Sequence, residues 1–96
     1  MSADNGVYIL RTTTPKKCVF EYRVAHLQAI ENISSNKLES KKWASVVKDY
    51  FGNSMVYSTR EGAWEKAGKI YDTIVNGGDI CEYGIVEIHV NRRYPL

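Results

Sequence analysis

Five residues near the start of the chain carry side chains suited to binding an anionic or polar group: Asp4, Asn5, Arg11, Arg23 and His26. An arginine guanidinium is a planar fork of donors that matches phosphate and carboxylate oxygens. Arg11 and Arg23 fall on the two strands of a predicted hairpin, so we expect them to stand close together at the centre of a ligand- or partner-binding site. The other three residues lie nearer the strand ends and would complete its polar rim.

These residues also have a structural interpretation. Arg23 can pair with Glu21 and simply solvate the sheet. Asp and Asn side chains bond to the backbone two residues further on, so Asp4 and Asn5 can equally form a turn or anchor the terminus. The interpretation as a site and the structural one both remain open at the level of the sequence.

The chain offers little for catalysis or metal binding. A metal site needs three or four ligands, and His26, His89 and Glu87 are the only combination on strands that approaches it. A cysteine with His26 is the nearest approach to a nucleophile and its base, but no segment resembles a nucleophile elbow. The sequence therefore predicts a protein that is not an enzyme, with no metal and no cofactor.

The composition is that of one globular domain covering residues 1–96. The chain is 44% hydrophobic and 25% charged, with a net charge of +2, which is too small to predict nucleic-acid binding by itself. Cys18 and Cys81 match neither zinc nor redox spacing, so buried thiols are expected. The polar start and the lack of a long apolar run predict neither a signal peptide nor a membrane span.

The hydrophobic pattern predicts the element order β-β-α-β-α-β. "GVYILRT" and "KCVFEYRVAHL" form a hairpin around Pro15. A first helix has an apolar stripe and ends at Gly52, expected in the left-handed C′ position; the stripe is Trp43, Val46, Val47 and Tyr50. "SMVYS" is the predicted third strand, and "ICEYGIVEIHV" is the fourth.

The second helix is predicted to begin at Ser58, with Glu61 completing a capping box, and to end at "NGGD". Because each helix has a single apolar stripe, we expect an α+β two-layer sandwich, with both helices on one face of a mostly antiparallel four-stranded sheet. The open face would carry Arg11 and Arg23. Depending on register, it would also carry either Tyr83 with Glu87 and His89, or Glu82 with Gly84.

An open sheet face has two further consequences. Tyrosines on strands provide a stacking platform, so a nucleic-acid-binding module is the alternative function. A small domain with an exposed edge gains from self-association, so a homo-oligomer is expected. Strand one and the "SMVY" segment are the predicted edges.

Three stretches resemble small proteins of tailed bacteriophages: "DNGVYIL", "YRVAHLQAIENI" and "VYSTREGAWEKAGKIYD…CEYGIVEI". The resemblance covers most of the chain but contains no chemical motif. It implies a protein acting in the cytoplasm of an infected host bacterium. By analogy of genome context, it implies a non-enzymatic host-takeover or anti-defence factor. Such a factor would bind a host protein complex or sequester a nucleotide-like ligand.

Overall fold

The computed structural model describes residues 5–13, 19–28 and 47–90, which form an α+β fold. Its elements are the strands β1 (Asn5–Thr13) and β2 (Phe20–Gln28), the helix α1 described over residues 47–51, the helix α2 (Arg60–Asn76) and the strand β3 (Ile85–Val90). The predictions made for Asp4, the turn at Pro15, Cys18, Trp43 and Val46 lie outside the described residues. No helix within the described ranges is both long and apolar enough to cross a lipid bilayer.

The sheet has three strands in the order β2–β1–β3, with β1 antiparallel to β2 and parallel to β3. The predicted hairpin is therefore confirmed, but β1 is the central strand rather than an edge. Its residues are buried continuously from Asn5 to Leu10. A near-continuous apolar run of this kind is typical of a strand that is covered on both faces.

The predicted third strand is reduced to one bridge in the described chain. Tyr57 and Tyr22 exchange backbone hydrogen bonds of 2.8 and 2.9 Å along the outer edge of β2. The next backbone bond of such a ladder is replaced by a side chain, because Ser54 Oγ accepts from the Val24 N–H at 3.0 Å and donates to the Met55 carbonyl. The four-stranded β-β-α-β-α-β order is thus not confirmed.

The prediction that both helices lie on one face of the sheet is wrong. One core is formed by α2 against the odd-numbered side of β1: Val7, Ile9, Tyr22, Val24, Ala63 and Ala67. A second core lies on the other side of β1, where Phe51 of α1 packs on Tyr8 and Leu10. A single apolar stripe places a helix against a sheet but does not say which face it covers.

The helix ends also differ from the predicted ones. Thr59, not Ser58, is the N-cap of α2, and its Oγ1 accepts from the Gly62 N–H at 3.1 Å, so the predicted capping box is not used. The stop at "NGGD" is confirmed, with Gly78 at φ +90°. Gly52 follows α1 without a positive φ; a Cβ there would lie 2.4 Å from the Lys48 carbonyl oxygen. Tyr50, predicted in the stripe of α1, is 40% exposed.

Candidate functional site

The carboxyl ends of β1 and β3 meet the first turn of α2 at one end of the sheet. Because β1 and β3 are parallel, Ile9 lies beside Glu87 and Arg11 lies beside His89. Side chains two residues apart on a strand share a face, so Arg11, Glu87 and His89 all point toward the side that α2 covers. In open α/β sheets, the carboxyl ends of parallel strands are where ligands are commonly bound.

Glu87 is the centre of a polar cluster that also contains Arg60, Trp64 and His89, referred to below as the Glu87 cluster. Its Oε1 accepts from Arg60 Nε at 2.8 Å and from Trp64 Nε1 at 2.6 Å. Its Oε2 is bonded to His89 Nε2. Arg60 and Trp64 reach the same carboxylate because residues four apart lie on one face of a helix.

The environment of Glu87 keeps its carboxylate ionised. Its side chain is only 12% exposed, and burial by itself raises its pKa. The hydrogen bonds from His89, Trp64 and Arg60, together with the positive charge of Arg60, outweigh that effect and hold the pKa of Glu87 below its usual value. Both carboxylate oxygens are therefore occupied by donors, and Arg60 and His89 are held in fixed orientations.

Arg11 contributes a second cation on the same face. Its guanidinium carbon lies 4.0 Å from the centre of the Phe20 ring, and Phe20 as a residue is 45% exposed. Arg11 Nε is buried and has no hydrogen-bond partner among the described residues. Arg60 repeats the arrangement, with its guanidinium carbon 5.2 Å from the centre of the Trp64 ring. Two arginine–aromatic stacks thus flank the Glu87–His89 pair.

This arrangement has the chemistry of an anion-recognition site. The Arg60 side chain is 58% exposed and the His89 side chain is 47% exposed, so both groups are accessible from solvent. The first turn of α2, which begins at Arg60, adds the positive end of a helix dipole. Stacking on an aromatic ring leaves the in-plane donors of a guanidinium available for phosphate or carboxylate oxygens.

The predicted Arg11–Arg23 pair does not exist, because the two side chains lie on opposite faces of the sheet. In the hairpin Arg11 is opposite Tyr22, whereas Arg23 is opposite Leu10. Arg23 donates to Thr12 Oγ1 at 3.3 Å and lies 3.6 Å from a Glu21 carboxylate oxygen. The geometry therefore supports the structural interpretation of Arg23, in which it pairs with Glu21 rather than forming a binding site.

His26 and Asn5 are also away from the Glu87 cluster. His26 is exposed and lies opposite Val7, toward the other end of the sheet. Asn5 is buried, and it anchors the loop before β3: its side-chain Oδ1 accepts from the Glu82 N–H at 3.0 Å and its carbonyl from the Tyr83 N–H at 2.9 Å. Of the four predicted residues that the structure describes, only Arg11 belongs to the candidate site.

Replacing Asn5 by alanine is expected to lower the free energy of unfolding by about 1–3 kcal/mol, since the Glu82 N–H then loses its acceptor. Chemical denaturation followed by circular dichroism measures the change. Asn53→Ala is the matched control, because Asn53 is exposed and surface changes stay within about 0.5 kcal/mol. Equal, small effects of both substitutions would contradict the anchoring role of Asn5.

Four residues of the site were not predicted as site residues: Arg60, Trp64, Glu87 and His89. Two residue spacings in the sequence could have indicated them. Arg60 and Trp64 have helical i, i+4 spacing, and Glu87 and His89 have the i, i+2 spacing of one strand face. One of the two predicted registers did place Glu87 and His89 on the same face as Arg11, and that register is the observed one for these three residues.

Across the residues that the structure describes, no three histidine, cysteine, aspartate or glutamate side chains are grouped so as to hold a metal ion. The predicted candidates His26 and His89 lie toward opposite ends of the sheet. Compared with known protein families, with curated protein sequences and with solved structures, the chain gives no significant match.

Proposed function

We propose that the protein is a non-enzymatic binding protein of bacteriophage type, a host-takeover or anti-defence factor that sequesters a nucleotide-like ligand. The observation that carries the proposal is the Arg11 guanidinium. It is stacked on a half-exposed aromatic ring, and its buried Nε has no partner among the described residues. Arg11 as a whole is only partly buried, and none of the ion pairs among the described residues involves it, so its guanidinium charge can attract an anionic ligand.

The two arginines would bind the phosphate oxygens of such a ligand. Arg60 is held by Glu87 through Nε alone, so the far side of its guanidinium remains available. Glu87 does not repel the anion strongly, because both of its oxygens accept hydrogen bonds from Arg60, Trp64 and His89. The carboxylate therefore serves to orient Arg60 and the His89 ring, which lowers the entropic cost of binding.

The half-exposed Phe20 ring would receive the base of the ligand. Bases stack on aromatic side chains irrespective of sequence, at about 1–3 kcal/mol per base. α1 and α2 cover parts of both sheet faces, so the extended platform that a strand of nucleic acid needs is smaller than the sequence suggested. This favours a single nucleotide-like ligand over a nucleic-acid-binding module.

Removing the Arg11 charge should weaken anion binding by about tenfold or more, the effect of losing one charge-assisted hydrogen bond. Isothermal titration calorimetry would compare pyrophosphate, the ribonucleoside triphosphates and a short oligothymidylate as ligands for the wild type and for Arg11→Gln. Arg23→Gln is the matched control, because Arg23 lies on the opposite sheet face of the same hairpin. Its affinity should stay within about twofold of the wild type.

The relative affinities for these ligands distinguish the alternative functions. Tighter binding of a triphosphate than of pyrophosphate supports a base contact, whereas tightest binding of the oligomer supports a nucleic-acid module. Unchanged affinity in Arg11→Gln would exclude Arg11 as the site. If none of the ligands binds the wild type, the nucleotide-like ligand is wrong and a host protein complex becomes the proposed partner.

A further inference from the structure

The outer edge of β3 carries backbone groups that the sheet does not use. Val7 lies opposite Ile85 and its N–H donates to the Gly84 carbonyl at 2.8 Å. In a parallel ladder with this register, the N–H and C=O groups of Val86 and Ile88 point toward β1. The N–H and C=O groups of Ile85, Glu87 and His89 therefore point away from β1, and no strand among the described residues pairs with them.

The outer edge of β3 lacks two of the residue types that commonly block pairing at sheet edges. The sequence of β3 is IVEIHV, with neither the proline nor the lysine that natural edge strands often use to block association. α2 lies mainly over β1 and β2 and reaches β3 chiefly through the Arg60 and Trp64 side chains that bond to Glu87. A further strand can thus approach β3 from the side without meeting the helix over that face.

We propose that β3 pairs with β3 of a second copy of the chain, antiparallel and about a two-fold axis that lies midway between the two copies of Ile88. A two-fold axis normal to the sheet keeps side chains on matching faces only when a residue of one strand lies directly opposite the same residue of the other. The outward-pointing groups of Glu87 would then exchange hydrogen bonds with those of His89 in the second copy. The same bonds form again on the other side of the axis.

The side chains that face each other across the axis favour this register and this occupant. An axis at Ile88 places Glu87 opposite His89 of the other copy, twice, and Ile88 opposite itself. An axis at Glu87 would instead place two carboxylates directly opposite each other, which is destabilising, whereas an imidazole opposite a carboxylate brings no like-charge repulsion. The strand is therefore complementary to itself, and the proposed dimer joins two Glu87 clusters across its axis.

Cysteine cross-linking tests the register. In the proposed pairing the two Ile88 residues form a non-hydrogen-bonded antiparallel pair, with Cα atoms about 4.5 Å apart, a separation that a disulfide spans. In a background of Cys18→Ser with Cys81→Ser, mild oxidation should convert Ile88→Cys to a covalent dimer on a non-reducing gel. Val86→Cys is the matched control and should stay monomeric, since its counterpart lies four positions away along the strand.

A second pair of variants tests the edge without a core substitution. His89→Pro removes an outward N–H but no bond to β1, and it should shift light scattering from twice the 10.9 kDa chain mass to one. His89→Ala removes the imidazole but keeps the N–H, so it should retain more of the dimer. A wild type that scatters as a monomer, a His89→Pro variant that stays dimeric, or cross-linking through Val86→Cys rather than Ile88→Cys would each overturn the proposal.

Discussion

Truncating Phe51 to alanine is expected to lower the free energy of unfolding by about 3–5 kcal/mol, the range for a buried phenylalanine. Phe51 is 1% exposed and packs with Tyr8 and Leu10 of the central strand. It is the largest fully buried side chain of the described structure. Small domains are stable by only about 5–15 kcal/mol, so the variant should be close to unfolding at ambient temperature.

Tyr50→Ala is the matched control for Phe51→Ala. The two aromatic residues are neighbours in α1, but Tyr50 is 40% exposed, so its truncation should cost well under half as much. Urea denaturation followed by far-ultraviolet circular dichroism measures both variants, with the slope of the transition confirming that the same surface is exposed. Similar losses for the two variants would mean that α1 does not pack on this face through Phe51.

The contrast between Phe51 and Tyr50 shows what the sequence could and could not predict about the fold. The pattern identified α2 correctly, because Ala63, Ala67 and the residues that follow form a regular stripe on one side of a long helix. In α1 the predicted stripe included Tyr50 and omitted Phe51. With both sheet faces available, an aromatic residue on either side of a helix is compatible with burial, and periodicity alone does not choose between them.

The local sequence pattern did not predict the strand order, for a related reason. A hairpin is local, so β1 and β2 were found, whereas the parallel pairing of β1 with β3 joins residues that are far apart in the chain. The apolar run of β1 did contain the relevant signal, since a strand buried on both sides must be central. Because one covered and one open sheet face were predicted, the apolar run of β1 was not interpreted as a central strand.

Of the candidate site, only Arg11 was predicted, because the sheet face on which a strand side chain lies depends on whether its position is odd or even in the observed register. A shift of one residue in pairing moves a side chain to the other face of a sheet. The observed register places Arg11 opposite Tyr22, so Arg23, one residue further on, faces the other way. The partners that Arg11 does have on its face come from β3 and α2, whose positions depend on the tertiary fold.

Replacing Glu87 by alanine should cost about 2–4 kcal/mol near neutral pH, the effect of removing an ionised acceptor that serves several donors. Trp64 Nε1 loses its partner in a half-buried position, whereas Arg60 is exposed enough for its charge to be solvated. Glu65→Ala is the control, because Glu65 is an exposed acid on α2, the helix that carries Arg60 and Trp64. It should change stability by less than about 0.5 kcal/mol.

The cost of Glu87→Ala should also depend on pH. The pKa of Glu87 in the folded protein is lowered from the usual value of 4.5, so the unfolded chain binds the proton more tightly than the folded one. The stabilisation is therefore complete above the unfolded value and is lost as the pH falls through the folded value. Urea unfolding at a series of pH values from about 7 down to about 3 should show the wild type and Glu87→Ala converging in acid. A difference in stability between them that stays constant over this range would mean that the Glu87 carboxylate is not stabilised in its ionised form by His89, Trp64 and Arg60.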